Sequence, residues 1–364
     1  MKKRLPSLLL LCMFLLGACA PKAAPGAGLP AAGEFTVTDA LGREVKFSRA
    51  PQNIILAGKS VFMLADAIYA FPEGAQRIKA IADRSQSSMA FLPIIDPKFN
   101  DKPKLAGDAA AEQIAPLKPD LVILKSSTHE KLGKPIEALG IPVVYLDLET
   151  PEQYQRDLKT LGAILQNPAR ADELINVYNK HTGEISDKVK NVSADKKPKV
   201  LLLYYNDKDG AVAFNIPPAS WIQTTLVKTA GGNPVWEKAN TGSGWTQVNF
   251  EQIAAWDADQ IYIIAYSADI DKAMATLKAD VQWQALRAMK DGKVYGFPND
   301  FYSIDQPDPR WYIGLSWLAA KINPDLYPNF KMEDEIIKFY KQVFNIEESV
   351  VREKVLTRMK GDWK

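Results

Sequence analysis

Short runs of apolar β-formers alternate with amphipathic helical segments in this chain. The alternation occurs twice, once on either side of a single uninterrupted helical segment. In the first series "PQNIILAG" reads as a strand, "SVFMLADAIYAF" as a helix and "RIKAIAD" as a strand. "AAEQIAPLK" then reads as a short helix, "PDLVIL" as a strand, "KLGKPIEALG" as a helix and "IPVVYLD" as a strand. These strands are continuously apolar rather than alternating, as strands covered on both faces by helices must be. The series therefore predicts an α/β fold built on a mostly parallel sheet.

The series breaks at Thr150-Pro151, where a helix starts with Gln153 near the reciprocal capping position. A second start at Asn167-Pro168 opens a helix expected to run to about residue 191, with Leu174, Val177, Ile185 and Val189 on its apolar face and lysines at its end. His181 on this helix is expected to face solvent. "KPKVLLLYY" then begins the second series. "QTTLVKTAGG" and "FEQIAAW" follow as helices, "DQIYIIAY" as a strand and "ALRAMKDGKVYGF" as a helix and strand. The last quarter, through "RWYIGLSWLAAKI", "EDEIIKFYKQVF" and "SVVREKVLTRM", is helical. The halves echo each other: "AEQIAPLKPDLVIL" in the first matches "FEQIAAWDADQIYII" in the second, with Glu112 and Glu251 at equivalent positions. Such a match in the same helix-to-strand context predicts two lobes of one ancestral design. A chain of 364 residues is also long for a single core. The expected division is an N-terminal lobe over 34–166, a connecting helix over 167–192 and a C-terminal lobe over 193–364.

The start of the sequence carries a targeting pattern. Lys2, Lys3 and Arg4 precede an apolar run from Leu8 to Leu16, too short to span a bilayer. Leu16-Gly17-Ala18-Cys19 resembles a bacterial lipobox, which implies removal of residues 1–18 and lipidation of Cys19. Residues 19–33, rich in Pro, Ala and Gly, read as a flexible tether. Cys12 and Cys19 are the two cysteines in the sequence, so no disulfide or thiol nucleophile is expected beyond the tether. Lys and Arg number 45 against 43 Asp and Glu, a balance that argues against a nucleic-acid partner.

"NIILAGKSVF", with Gly58-Lys59-Ser60 after a strand, resembles the end of a phosphate-binding loop. The glycine that must open such a loop is replaced by Asn53, so the backbone cannot wrap a triphosphate. No HExxH or GxSxG pattern is present, and the two histidines, His129 and His181, are far apart. Asp207 and Asp209, and Asp305 and Asp308, have no spacing that suits acid–base work. The chain is expected not to be an enzyme and to carry no cofactor.

The lipobox-like start, "FTVTDALGREVKFSRAPQNIIL", the paired "EQIA" units, "TAGGNPVW" and "PRWYIGLSWLAAKINPDLYP", in that order, resemble class III substrate-binding lipoproteins of ABC importers. That family handles ferric siderophores, haem, cobalamin and molybdate or tungstate. The resemblance spans residues 35 to about 345. It implies two sheet-and-helix lobes, joined by one rigid α-helix, with the ligand cleft between them. It also implies membrane tethering on the extracytoplasmic face and a permease dimer with a cytoplasmic ATPase as partner. Acidic residues on each lobe would dock on that permease, at the positions of Glu112 and Glu251.

In open α/β sheets, ligands lie beyond the carboxyl ends of the strands. That rule selects Lys59 and Ser60 with the free N–H groups of the next helix. It also selects Arg84, Ser126, Ser127 and Thr128, with His129 a weaker candidate. In the second lobe it selects Asn215, Ser220, Trp221, Trp245, Tyr266, Tyr302 and Arg310. Trp311 is expected in the core. An aromatic cleft with arginine, lysine and hydroxyls suits an anionic metal complex, of ferric-siderophore type. Cobalamin, haem and molybdate or tungstate stay open as ligands, as do a sensor role and a metal-dependent enzyme on the same fold.

Overall fold

The computed structural model describes residues 33–83, 89–208 and 210–364. Cys19, the signal-like segment and Arg84 lie outside the described residues. The first lobe holds a five-stranded sheet in the order Lys104–Leu105, Ile78–Ala82, Ile54–Leu56, Leu121–Lys125, Val143–Leu146. Every pairing in it is parallel. Ile54, Ile55 and Leu56 are fully buried, as continuous apolar strands between two helical layers must be.

The second sheet is mixed. Lys199–Lys208, Gln260–Ile264 and Val294–Gly296 pair in parallel. Ala211–Ile216 and Thr246–Val248 add antiparallel strands on one side. The strand that begins in "KVLLLYY" continues to Lys208, reverses, and returns with Ala211 opposite Lys208. Gly210 supplies the positive φ of 84° that so tight a reversal requires.

One helix, Pro168–Val189, links the lobes. Asn167 caps it, accepting from the Arg170 N–H. Its buried stripe runs through Leu174, Tyr178, His181 and Ile185, spaced by three and four residues. Tyr178 joins that face, and Val177 packs at its edge, half-buried against the core. His181 is buried, not solvent-facing, and stacks on Tyr312 with centroids 3.6 Å apart.

The helix Val61–Tyr69 starts just past the carboxyl end of Ile54–Leu56, and all nine of its residues are buried. Residues 301–310, beyond the carboxyl end of Val294–Gly296, are likewise all buried. The two segments pack on each other: Phe62 stacks on Tyr302 with centroids 4.8 Å apart, and Arg310 pairs with Asp66. Both sheets therefore turn their carboxyl ends toward one boundary. The helix Met332–Phe344 crosses the same boundary, with Phe344 edge-on to Phe91 at 4.8 Å and the Val343 carbonyl accepting from Arg170 at 2.7 Å. No helix among the described residues is long and apolar enough to cross a membrane.

Candidate functional site

At the carboxyl end of the second sheet, four aromatic side chains meet. Tyr204 comes from the strand Lys199–Lys208, Trp221 precedes the helix Ile222–Thr229, Trp245 precedes Thr246–Val248, and Tyr266 follows Gln260–Ile264. Trp245 is the hub. Its ring centroid is 5.5 Å from Trp221, 5.2 Å from Tyr204 and 6.0 Å from Tyr266. Tyr204 and Tyr266 are 4.7 Å apart. All four are half-buried: Tyr204, Trp245 and Tyr266 pack against the core and keep part of their surface open. Thr241–Gly244, immediately before Trp245, is exposed throughout. Asn215 lies beside the platform, paired in register with Tyr204, and is half-buried. Ser220 is exposed next to Trp221. The strand-end rule thus brought Trp221, Trp245, Tyr266, Asn215 and Ser220 together. It missed Tyr204, although that residue also closes an apolar run.

Behind the platform lies a polar group. The Tyr266 hydroxyl donates to Asp305 Oδ2 at 2.6 Å, and Gln223 Nε2 donates to the same oxygen at 3.2 Å. Ser303 Oγ donates to Asp305 Oδ1. Asp305 is fully buried, and burial pushes its carboxyl up from the ordinary range, partly offset by these donors. Burial, reinforced by the carboxyl beside it, pushes the Tyr266 phenol well above its usual value.

On the first lobe, Gly58 (φ 85°) and Ser60 (φ 53°) both take left-handed backbone. For Ser60 this is a strained conformation of the kind that gathers at functional sites. Its side chain makes no cap to the helix Val61–Tyr69. Lys59 between them is exposed. Ser126 is half-buried and donates to Asp147, while Ser127 is exposed. Lys125 turns inward to Glu149 at 2.6 Å. His129 is half-buried, with Nδ1 3.2 Å from Glu130 and its ring edge-on to Tyr145.

Three expected ligand contacts are corrected. Arg310 and Tyr302 are buried at 0% and 4% exposure and form the floor where the lobes meet. A guanidinium just past a strand end is more strongly held by buried carboxylates than by an open cleft. Thr128 is buried and spends its hydroxyl on the Lys125 carbonyl at 2.7 Å. Trp311 is in the core, as expected. With Arg310 inside, Lys59 is the exposed cation of the expected set among the described residues.

Glu112 and Glu251 are both exposed in the first turns of their helices, Ala111–Ile114 and Phe250–Trp256.

A family model described as periplasmic binding protein matches residues 101–301, more than half of the chain. An uncharacterized ABC transporter substrate-binding lipoprotein of Bacillus subtilis (strain 168), YvrC, is 25% identical over 237 residues, 64% of this chain and 71% of that protein. The molybdate-binding protein MolA of Haemophilus influenzae is 22% identical over 254 residues, 64% of this chain and 69% of its own. The molybdate-bound structure of MolA superposes with a TM-score of 0.70 at 18% identity, over 86% of this chain and 98% of that one. A periplasmic solute binding protein from Veillonella parvula gives a TM-score of 0.71 at 23% identity, over 89% of this chain and 97% of its own. At these identities the superpositions establish the two-lobed fold.

Proposed function

The chain belongs to the periplasmic binding protein family, and on that footing we propose that it is the substrate-binding protein of an ABC importer. It captures a metal chelate of ferric-siderophore type between its lobes and delivers it to a membrane permease dimer served by a cytoplasmic ATPase. The observation that carries the ligand class is the half-buried platform of Tyr204, Trp221, Trp245 and Tyr266. Rings of this size contact an extended, ring-bearing ligand through area and π-faces. A small oxyanion needs converging donors and little apolar surface, so the platform favours a chelate over molybdate. Lys59, Ser60 and Ser127 supply donors from the first lobe, Ser126 an acceptor oxygen since its proton goes to Asp147, and Asn215 and Ser220 polar groups from the second. Glu112 and Glu251 are the permease-docking acids. Cys19 carries the lipid that tethers the domain, through residues 19–33, to the extracytoplasmic face of the membrane.

Thermal unfolding of residues 34–364 with a panel tests this reading. The panel holds ferric hydroxamate and catecholate complexes, haemin, cobalamin, molybdate and tungstate. A ligand at a hundred times its Kd adds about 2.7 kcal/mol, a rise of a few degrees at this size. A rise with a ferric chelate supports the assignment. A rise with molybdate or tungstate alone moves the protein to the oxyanion ligands and removes the role given to the platform.

A further inference from the structure

Past the ends of two neighbouring strands of the first sheet, one carboxylate ties two loops together. Asp147 follows the strand Val143–Leu146, and Ser126 follows Leu121–Lys125. Ser126 Oγ donates to Asp147 Oδ1, and Arg156 Nη2 donates to Asp147 Oδ2 at 2.8 Å. Arg156 comes from the second turn of the helix Pro151–Ile164. Its other anchor is the fully buried Asp157, whose Oδ1 accepts from Arg156 Nε at 2.8 Å. Asp157 Oδ2 accepts from the N–H groups of Asp147 and Leu148 at 2.7 and 2.8 Å. Leu148, pinned in this way, takes left-handed backbone (φ 59°), strain of the kind found at Ser60 in the same lobe. All four carboxylate oxygens are thus occupied, and Nε and Nη2 are spent along one edge of the guanidinium. Nη1 carries N–H donors of its own and makes no hydrogen bond among the described residues. It is not among the buried atoms left without a partner, and the side chain is 40% exposed, so this open edge meets solvent. Asp147 and Ser126 stand at carboxyl strand ends, the ends turned toward the lobe boundary. The open edge of Arg156 is held there, with the exposed Ser127 following Ser126.

We propose that Arg156 is the first lobe's anion contact: its Nη1 edge donates to an anionic oxygen on the face of the chelate turned away from the aromatic platform. Asp147 and Asp157 hold the guanidinium plane before ligand arrives, so little side-chain freedom is lost on binding. A chelate with negatively charged oxygens at its periphery is thereby preferred over a neutral one. This inference rests on the chelate-capture reading above.

Two experiments on residues 34–364 test it, with three probes: ferric enterobactin, an anionic tris-catecholate; ferrichrome, a neutral hydroxamate; and molybdate. The first is phenylglyoxal labelling of the wild type, read by mass spectrometry. Arg156 should label in the free protein and lose its labelling when ferric enterobactin saturates it. Arg287 and Arg352, at 41% and 47% side-chain exposure, should label equally in both. The second is titration by tryptophan fluorescence of the wild type, Arg156→Gln and Arg156→Lys. Arg156→Gln should weaken ferric enterobactin about tenfold, the worth of one charge-assisted hydrogen bond, and ferrichrome by less than about twofold. Added salt should weaken ferric enterobactin more in the wild type than in Arg156→Gln. Arg156→Lys keeps the charge and should recover part of the loss. Should Arg156→Gln not fold, the labelling of the wild type decides. Three results overturn the role of Arg156 and leave chelate capture standing: ferrichrome binding at least as tightly as ferric enterobactin, Arg156 labelling unchanged by bound chelate, or an equal loss for both chelates in Arg156→Gln. Molybdate binding that protects Arg156, with no response to either chelate, sinks chelate capture and keeps the anion contact. No response to any of the three overturns both.

Discussion

Arg310 reaches from the second lobe to the Asp66 carboxylate of the first, 244 positions away in sequence, and neither side chain is exposed. Its guanidinium also lies 4.5 Å from the Phe91 ring and 4.6 Å from Tyr302. Asp300, at 3.1 Å, and Asp308, at 3.8 Å, complete the group. Burial pushes Asp66 and Asp308 upward, against the pull of Arg310. This is the floor on which the lobes meet.

Removing the cation leaves the carboxyls without compensation. Arg310→Met should destabilise the fold by about 3–5 kcal/mol, the cost of breaking a buried pair from one side, as read from the urea midpoint. A cost below about 1 kcal/mol would show that the pair does not hold the lobes.

Backbone contact at the same floor predicts a second cost. A Cβ on Gly314 would stand 2.2 Å from the Ile304 carbonyl oxygen, and that atom is not the end of a flexible side chain. Gly314→Ala, normally favourable in a helix, should here destabilise by about 1–3 kcal/mol through overpacking.

His181 predicts an acid sensitivity. Its Nε2 is 3.0 Å from the Tyr312 carbonyl and 3.0 Å from Ser316 Oγ. Burial, with a further push from Lys338, lowers its pKa to about 3 from an ordinary 6.5. Between those values the unfolded chain binds a proton that the folded chain does not. Stability from this group is therefore present above about pH 6.5 and is lost as pH falls, by up to about 1.4 kcal/mol per pH unit. His181→Gln should flatten that limb in a series of urea titrations from pH 7 to 4. Parallel curves for the two proteins would contradict the assignment.

Docking through Glu112 and Glu251 predicts a separation of binding from delivery. Glu112→Lys and Glu251→Lys should leave chelate affinity unchanged within about twofold, because both side chains are exposed on the first turns of their helices. Uptake by cells carrying the cognate permease should drop at least tenfold in the double variant, since charge reversal opposes a complementary surface. Unchanged uptake would remove the docking role.

The parallel strands, the linking helix and most of the aromatic platform were legible in the sequence. Continuous apolar strands and a 3.6-residue stripe are strong local signals, and the strand-end rule converts them into a site. The reversal between Lys208 and Ala211 has a local signal, Asp209-Gly210, but the charged residues around it break the apolar run that marks a strand. Arg310 was misplaced for a different reason. Whether a polar residue beyond a strand faces solvent or a buried counter-ion depends on Asp66 and Asp300, and no local pattern reports on partners that distant. Asp305 and Gln223 escaped on the same ground, since their roles exist only through contacts with Tyr266. His181 was placed outward because its polarity outweighed its spacing, whereas stacking on Tyr312 decides its position.

The central claim is that ligand binds over the second lobe's aromatic platform. The most direct measurement is tryptophan fluorescence of residues 34–364 titrated with the chelate that raises the melting temperature, in the wild type and in Trp245→Phe and Trp221→Phe. Bound ligand should quench saturably in the wild type. Each single variant should lose part of the quench, and affinity should weaken severalfold when the hub ring of Trp245 is reduced. Unchanged affinity and an undiminished quench in both variants would place the ligand elsewhere and contradict the account.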